Sequence, residues 1–299
     1  MTSKPYLYAG GVVLTVVSWA LISSAGAILA GHPSYWIAYG AMSVAGCVAI
    51  ACAVVWRRRP TRWWIATAST IGLLLIGVAG WWLTPFGATE PALEAMESGT
   101  LVAVETSSST ITLTPTGERE EVGMVFLPGA KVDARAYAHI LRPIAEAGVQ
   151  VVIVKPPLGI AFFSTSAAPA WASAHPEVGR WVVAGHSLGG VVAALNAAES
   201  EVIDDLILWA SYPADDVSDR SFTAVSISGT NDGLTTPEDV DDSLPHLPDA
   251  TEYVRIEGAV HSHFGDYGTQ PGDGQPGISR DEAQTQIIDA TLGFLVGSN

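Results

Sequence analysis

From Pro5 to Val55 the chain carries no Asp, Glu, Lys or Arg. A stretch of that length without charge cannot form the surface of a water-soluble domain. It is broken only at Gly31-His32-Pro33-Ser34, where proline and glycine oppose a continuous helix. After Arg57-Arg58-Arg59-Pro60-Thr61-Arg62 a third apolar run begins. The spacing predicts three membrane-spanning helices over about 6–30, 35–56 and 63–83. Each reaches the roughly 20 residues needed to cross about 30 Å of hydrocarbon, where only a helix or a closed barrel satisfies its own backbone. Tyr6, Tyr8, Tyr35, Trp36, Trp56, Trp63, Trp64, Trp81 and Trp82 stand at the ends of the runs, as expected of rings held at the membrane–water boundary. The alternative, a soluble three-helix bundle, would show polar stripes, and these runs show almost none.

Basic residues set the expected orientation. Lys4 precedes the first run, and Arg57, Arg58, Arg59 and Arg62 separate the second from the third. Their enrichment on the cytoplasmic side places the His32 loop and everything after the third span outside, in a multi-pass plasma-membrane protein. Ser23-Ser24-Ala25-Gly26-Ala27 also permits the first run to be read as a cleaved signal peptide, and two spans would remain. Cys47 and Cys52 both fall in the second span, five residues apart, facing different directions on a helix, so no disulfide is expected between them. Ala41, Ala45 and Gly46 are small enough to line a helix contact, or are ordinary membrane composition.

Charge changes abruptly at the end of this segment. All thirty carboxylates lie at Glu90 or beyond, set against nine cations there, so residues 90–299 carry −21. That charge argues against nucleic acid as a partner, because phosphates are bound by replacing their counterions with Lys and Arg. The expected organisation is a transmembrane segment over 1–84, a linker over 85–99 containing Pro85, Gly87 and Pro91, and one folded domain over 100–299.

Strand-like runs at Leu101–Glu105, Thr110–Leu113 and Val122–Leu127 open that domain. Helix then alternates with strand: helix 134–147, strand 149–155, helix 168–175, strand 181–184, helix 188–198, strand 206–210. Strand 223–228, helix 237–243, strand 252–256 and helix 281–296 complete the pattern. Short β-rich runs interleaved with helices predict an α/β fold, a mostly parallel sheet covered on both faces.

Gly185-His186-Ser187-Leu188-Gly189 fits the Gly-x-Ser-x-Gly turn that presents a serine between a strand and a helix. The pattern alone is weak. Here Trp181–Ala184 supplies the incoming strand and Val191–Ala198 the outgoing helix of small residues. Gly185 and Gly189 stand where a side chain would collide with neighbouring backbone. Serine needs a base and the base an orienting acid, here in the chain order Ser, acid, His. Asp232, in Gly229-Thr230-Asn231-Asp232-Gly233 just after a buried strand, is the candidate acid. His32, His139, His175, His186 and His246 are badly placed or precede the acid, leaving His261 and His263, which the pattern does not separate. The oxyanion of an acyl-transfer intermediate needs preorganised donors. The Leu188 N–H is one candidate, and the Ala130 N–H in Pro128-Gly129-Ala130-Lys131 is the other.

Residues 100–299 resemble the α/β-hydrolase superfamily, and within it a small lid-less group of bacterial serine hydrolases. The resemblance rests on Pro128-Gly129-Ala130-Lys131-Val132-Asp133, Gly185-His186-Ser187-Leu188-Gly189-Gly190, Ser211-Tyr212-Pro213-Ala214-Asp215-Asp216, and His261 through Gly268. It implies His261 as the catalytic histidine and supports Ala130 at the oxyanion turn. Relatives of the dienelactone-hydrolase type often carry a cysteine nucleophile, whereas this chain has Ser187, which argues against that substrate preference. About a dozen residues separate the strands at 206–210 and 223–228, too few for a helical cap, so an open site is expected.

Together these readings predict a membrane-anchored serine hydrolase that cleaves carboxylic esters, of small molecules or lipids, through an acyl-enzyme on Ser187. No cofactor and no metal are expected. A calcium loop over Asp266–Asp273 is disfavoured because the carboxylates do not alternate as such a loop requires. An envelope acyltransferase using the same three residues is the first alternative, and a non-catalytic membrane receptor or scaffold on a hydrolase fold is the second.

Overall fold

The computed structural model describes residues 4–55, 62–118 and 121–297. The chain divides into two compact units between Pro85 and Phe86. The first holds α1 (Lys4–Ala30), α2 (Ser34–Val55) and α3 (Trp63–Trp82), each long and apolar enough to cross a membrane. Trp56 and the arginines at 57–59, on which the orientation reading rests, lie outside the described residues. Helix α1 runs through the Ser23–Ala27 segment with one non-helical residue, Ser24. α1 and α2 approach closely at a pair of glycines: a Cβ on Gly10 would lie 2.8 Å from the Gly46 carbonyl, and one on Gly46 would lie 2.9 Å from the Leu14 side chain. Of the small residues singled out in α2, Gly46 is therefore a contact, whereas Ala41 is exposed. Both cysteines are free thiols.

The second unit is built on one eight-stranded sheet, in the order β1-β2-β4-β3-β5-β6-β7-β8. Its strands are β1 (Val102–Thr106), β2 (Thr110–Pro115), β3 (Val122–Leu127), β4 (Gln150–Val154), β5 (Arg180–His186), β6 (Asp205–Trp209), β7 (Thr223–Gly229) and β8 (Glu252–Ile256). β1 and β2 form an antiparallel ribbon, β2 pairs antiparallel with β4, and all later pairings are parallel. β3 is buried at every residue, as a central parallel strand covered on both sides must be.

Side chains alternate across the sheet and divide the core in two. On one face Met124, Phe126, Val182, Ala184, Ile207, Trp209 and Ile227 form a cluster with α4 (Ala138–Glu146) and α8 (Arg280–Gly297). On the other, Val125, Leu127, Val183, Leu206 and Leu208 meet α5 (Ala167–Ala174) and α6 (Leu188–Glu199). Helix α7 (Pro237–Ser243) begins with a reciprocal cap in which the Thr236 hydroxyl and Asp239 satisfy each other's backbone amides.

The stretch expected as a linker is built into this unit. Glu94–Met96 form a turn of 3-10 helix, and Arg142 donates to the carbonyls of Ala95 and Glu97, each at 2.8 Å. Residues 210–222, between β6 and β7, hold turns and bends with no helix, so that connection forms no helical cap.

Candidate active site

Ser187 sits between β5 and α6 with φ 53° and ψ −125°, a left-handed conformation that a non-glycine residue adopts only under constraint. The constraint comes from both sides. The Ser187 amide donates to the Trp209 carbonyl at 3.0 Å, and its carbonyl accepts from the Ser211 hydroxyl at 2.7 Å and the Gly190 amide at 2.9 Å. A Cβ on Gly189 would lie 2.0 Å from the Leu127 carbonyl oxygen, and one on Gly185 would lie 2.4 Å from Gly189. The elbow closes only with glycine at both positions, and this closeness brings the start of α6 against the end of β3.

Asp232 follows β7 by three residues and is buried. One carboxylate oxygen, Oδ1, accepts the Leu234 and Thr235 amides at 2.8 Å each. The other, Oδ2, lies 2.8 Å from Nδ1 of buried His261. A carboxylate can only accept, so Nδ1 carries the proton and Nε2 presents a lone pair. Nε2 is buried and makes no hydrogen bond, to Ser187 or to any other described residue. His263 is also buried, but neither a hydrogen bond nor an ion pair joins it to Asp232, and burial together with Arg280 pushes its pKa down. The pairing left open by the residue pattern therefore falls to His261.

Asp273 holds the His261 turn from outside. Its Oδ1 accepts the His261 amide at 3.0 Å and its Oδ2 the Ser262 amide at 2.8 Å. Burial alone would raise the Asp273 pKa, but the amides and hydroxyl donated to it by Ser262, Gly274 and His261 bring it down. Its oxygens are thus taken up by backbone, and no group of three or more metal-ligating side chains occurs among the described residues.

In the turn after β3, the Gly129 amide donates to the Tyr137 hydroxyl at 2.9 Å and the Lys131 amide to the Gly159 carbonyl at 2.7 Å. The Ala130 amide between them donates to no backbone carbonyl. Leu188, as the first residue of α6, has no intrahelical acceptor for its own amide. Among the described residues, neither N–H group singled out as an oxyanion donor donates to a backbone carbonyl.

Sequence reasoning missed the role of His186. It is fully buried, stacked on Phe264 at 5.7 Å, and 4.6 Å from the His261 ring. Its Nδ1 lies 2.8 Å from the Tyr137 hydroxyl, which is the same hydroxyl that accepts from Gly129. The residue before Ser187 and the oxyanion turn are thus joined through one buried tyrosine. Burial, then the neighbouring His261, hold the His186 pKa well below the usual imidazole value, and burial raises that of Tyr137. Both stay neutral at physiological pH. Tyr137 carries no motif, and only its contacts reveal it.

The other histidines lie elsewhere. His139 is 3.3 Å from Asp266, His175 stacks on Trp171 at 4.5 Å, and exposed His246 lies 4.0 Å from Asp216. A cleft of about 170 Å³ runs beside α6, with Phe162, Val191, Leu195, Pro213, Val217 and Arg220 in its walls. Val191 donates its amide to the Ser187 carbonyl at 3.3 Å, so the cleft begins one helical turn from that serine.

A model of the alpha/beta hydrolase family matches residues 123–286. No curated protein matches the chain. Among solved structures, dienelactone hydrolase from Anabaena variabilis is 15% identical, with a TM-score of 0.50, covering 66% of this chain and 98% of that one. Esterase 2 of Thermogutta terrifontis is 14% identical, with a TM-score of 0.49, covering 67% of this chain and 96% of its own. A serine hydrolase without lid from Xanthomonas campestris is 17% identical, with a TM-score of 0.47, covering 68% and 99%.

Proposed function

The chain belongs to the alpha/beta hydrolase family, and on that footing we propose that it is a membrane-anchored serine hydrolase that cleaves carboxylic esters. The observation that carries the reading is the His261 imidazole. Asp232 holds its Nδ1–H, its Nε2 makes no hydrogen bond, and its ring lies 4.6 Å from that of His186, the residue before Ser187. Catalytic hydrogen bonds are often unformed without substrate, so the open Ser187–His261 pair fits this role.

In the proposed reaction the Ser187 Oγ attacks the ester carbonyl while its proton passes to His261 Nε2. The resulting oxyanion is held by the Leu188 and Ala130 N–H groups. Collapse breaks the carbon–alkoxy bond, and Nε2–H protonates the departing alcohol. Water then gives a proton to Nε2 as it attacks the acyl-enzyme, and collapse breaks the Ser187 Oγ–acyl bond, releases the acid and returns the proton from Nε2–H to Ser187 Oγ. Asp232 keeps its charge throughout and stabilises the imidazolium. An apolar acyl or alcohol group is accommodated by the cleft beside α6. The three apolar helices support anchoring, and the basic residues Lys4, Arg57, Arg58, Arg59 and Arg62 are the ground for proposing the hydrolase unit on the outer side of the plasma membrane. The −21 charge beyond residue 89 disfavours strongly anionic substrates.

The test is fluorophosphonate labelling and ester hydrolysis by the full chain in detergent. Ser187→Ala and His261→Ala are expected to abolish both, while His263→Gln retains them. Labelling that survives Ser187→Ala would overturn the assignment. Transfer of the acyl group to an added alcohol in preference to water would favour the acyltransferase reading.

A further inference from the structure

We propose that Phe86–Thr89, the four residues that open the second unit, form a strap that positions the two loops of the active site. The inference rests on the catalytic reading above. The oxyanion turn at 128–133 and the His261 turn at 261–266 come from distant parts of the chain, and neither is part of a strand. Productive geometry nevertheless requires their groups to be held within about 0.5 Å.

One short extended segment is bonded to both. The Phe86 amide donates to the Lys131 carbonyl at 2.8 Å, and the Phe86 carbonyl accepts from the Asp133 amide at 2.9 Å. These two bonds make a one-residue parallel bridge between Phe86 and Val132. Lys131 is left-handed, with φ 60°, and is the residue directly after Ala130. Its amide is fixed by Gly159 and its carbonyl by Phe86, so the two peptides that follow the Ala130 N–H, Ala130–Lys131 and Lys131–Val132, are both held. Three residues along the strap, Thr89 donates both its amide, at 2.8 Å, and its hydroxyl, at 3.1 Å, to the Asp266 carbonyl. Asp266 closes the histidine turn, and its own amide donates to Ala136 at 2.8 Å.

Side chains add a second link. The Phe86 ring lies 6.1 Å from the Tyr267 ring, and the Tyr267 hydroxyl reaches the His261 carbonyl at 3.4 Å. The Lys131 ammonium sits over the Phe86 ring, 5.3 Å from its centroid. Phe86 therefore touches the oxyanion turn through its backbone and a cation, and the histidine turn through an aromatic contact. By sequence the strap starts four residues after Trp82, the last residue of α3. The connection out of the predicted third span is thus part of the catalytic frame rather than slack chain.

The experiment uses the full chain in detergent micelles, with p-nitrophenyl butyrate as substrate, and compares Phe86→Ala, Thr89→Val and Thr89→Ser. A positioning role predicts that Phe86→Ala lowers kcat about tenfold and Thr89→Val at least about threefold, with KM within about twofold. Thr89→Ser, which restores the hydroxyl, should return kcat to near wild type. Wild-type kcat in both Phe86→Ala and Thr89→Val, or a serine variant no better than the valine one, overturns the strap while Ser187→Ala remains inactive. A loss seen only as raised KM also overturns it. If Phe86→Ala does not fold, the near-isosteric Thr89 pair decides. If Ser187→Ala still hydrolyses the ester, the catalytic reading itself has failed, and the strap falls with it.

Discussion

Replacing Asp232 by Asn tests the proposed histidine tautomer directly, because the surrounding backbone dictates how the amide must point. Oδ1 of Asp232 accepts two buried amides, those of Leu234 and Thr235, and Oδ2 faces His261 Nδ1. In Asp232→Asn the carbonyl oxygen keeps the two amides and the NH2 group turns toward His261. Nδ1 must then accept, the proton moves to Nε2, and the imidazole can no longer take the proton of Ser187. The opposite rotamer would restore the tautomer but orphan both amides. At about 1–3 kcal/mol for each unsatisfied buried donor, it is disfavoured by about 2–6 kcal/mol. The productive form then makes up between about one part in thirty and one in 10⁴, since each 1.4 kcal/mol is about tenfold.

The expected loss in kcat/KM and in fluorophosphonate labelling rate is therefore about thirtyfold to 10⁴-fold. The thermal midpoint should hold, because the two amide bonds survive. Asp232→Ala removes those bonds as well and should lower both activity and midpoint. A folded Asp232→Asn chain retaining more than about a tenth of wild-type activity would refute the tautomer argument, and with it the assignment of Asp232 as the orienting acid.

Tyr137→Phe deletes one oxygen and leaves two buried groups, the Gly129 amide and His186 Nδ1, without a partner. A loss of about 2–6 kcal/mol of stability follows, read in urea unfolding of the hydrolase unit, and slower labelling should accompany it as the oxyanion turn loosens. An unchanged midpoint would remove this tyrosine from the supporting frame. His139 faces the buried carboxylate of Asp266, which raises the histidine's pKa above its unfolded value. Its contribution is complete below the unfolded pKa, near 6.5, and disappears as pH rises through the higher folded value. Thermal midpoints of wild type should thus fall relative to His139→Gln as pH climbs beyond that range; parallel curves would contradict the pairing.

Much of this architecture was legible from local pattern. The strand at Val122–Leu127 and the helix at Pro237–Ser243 appear with the bounds that periodicity assigned them. The Gly185–Gly189 elbow was readable because its glycines answer to nearby backbone, and the first two helices because no charge interrupts them. Residues 85–99 were read as a linker since Pro85, Gly87 and Pro91 oppose regular structure. Those residues do avoid helix and strand at Phe86–Thr89, yet they are bonded to both loops of the site. Local preference forecast their conformation but carried no information about their partners.

The same division holds for the chemistry. The amino-acid sequence alone determined where helices can cross a membrane, where strands alternate with helices, and which serine occupies a strained turn. These depend on interactions within a few residues. Tertiary structure decided which histidine meets Asp232, 29 residues away; which tyrosine meets His186, 49 away; and that Thr89 meets Asp266 across 177 residues. A hydrogen bond depends on distance and angle in space, and the closing of the sheet brings those groups within reach of one another.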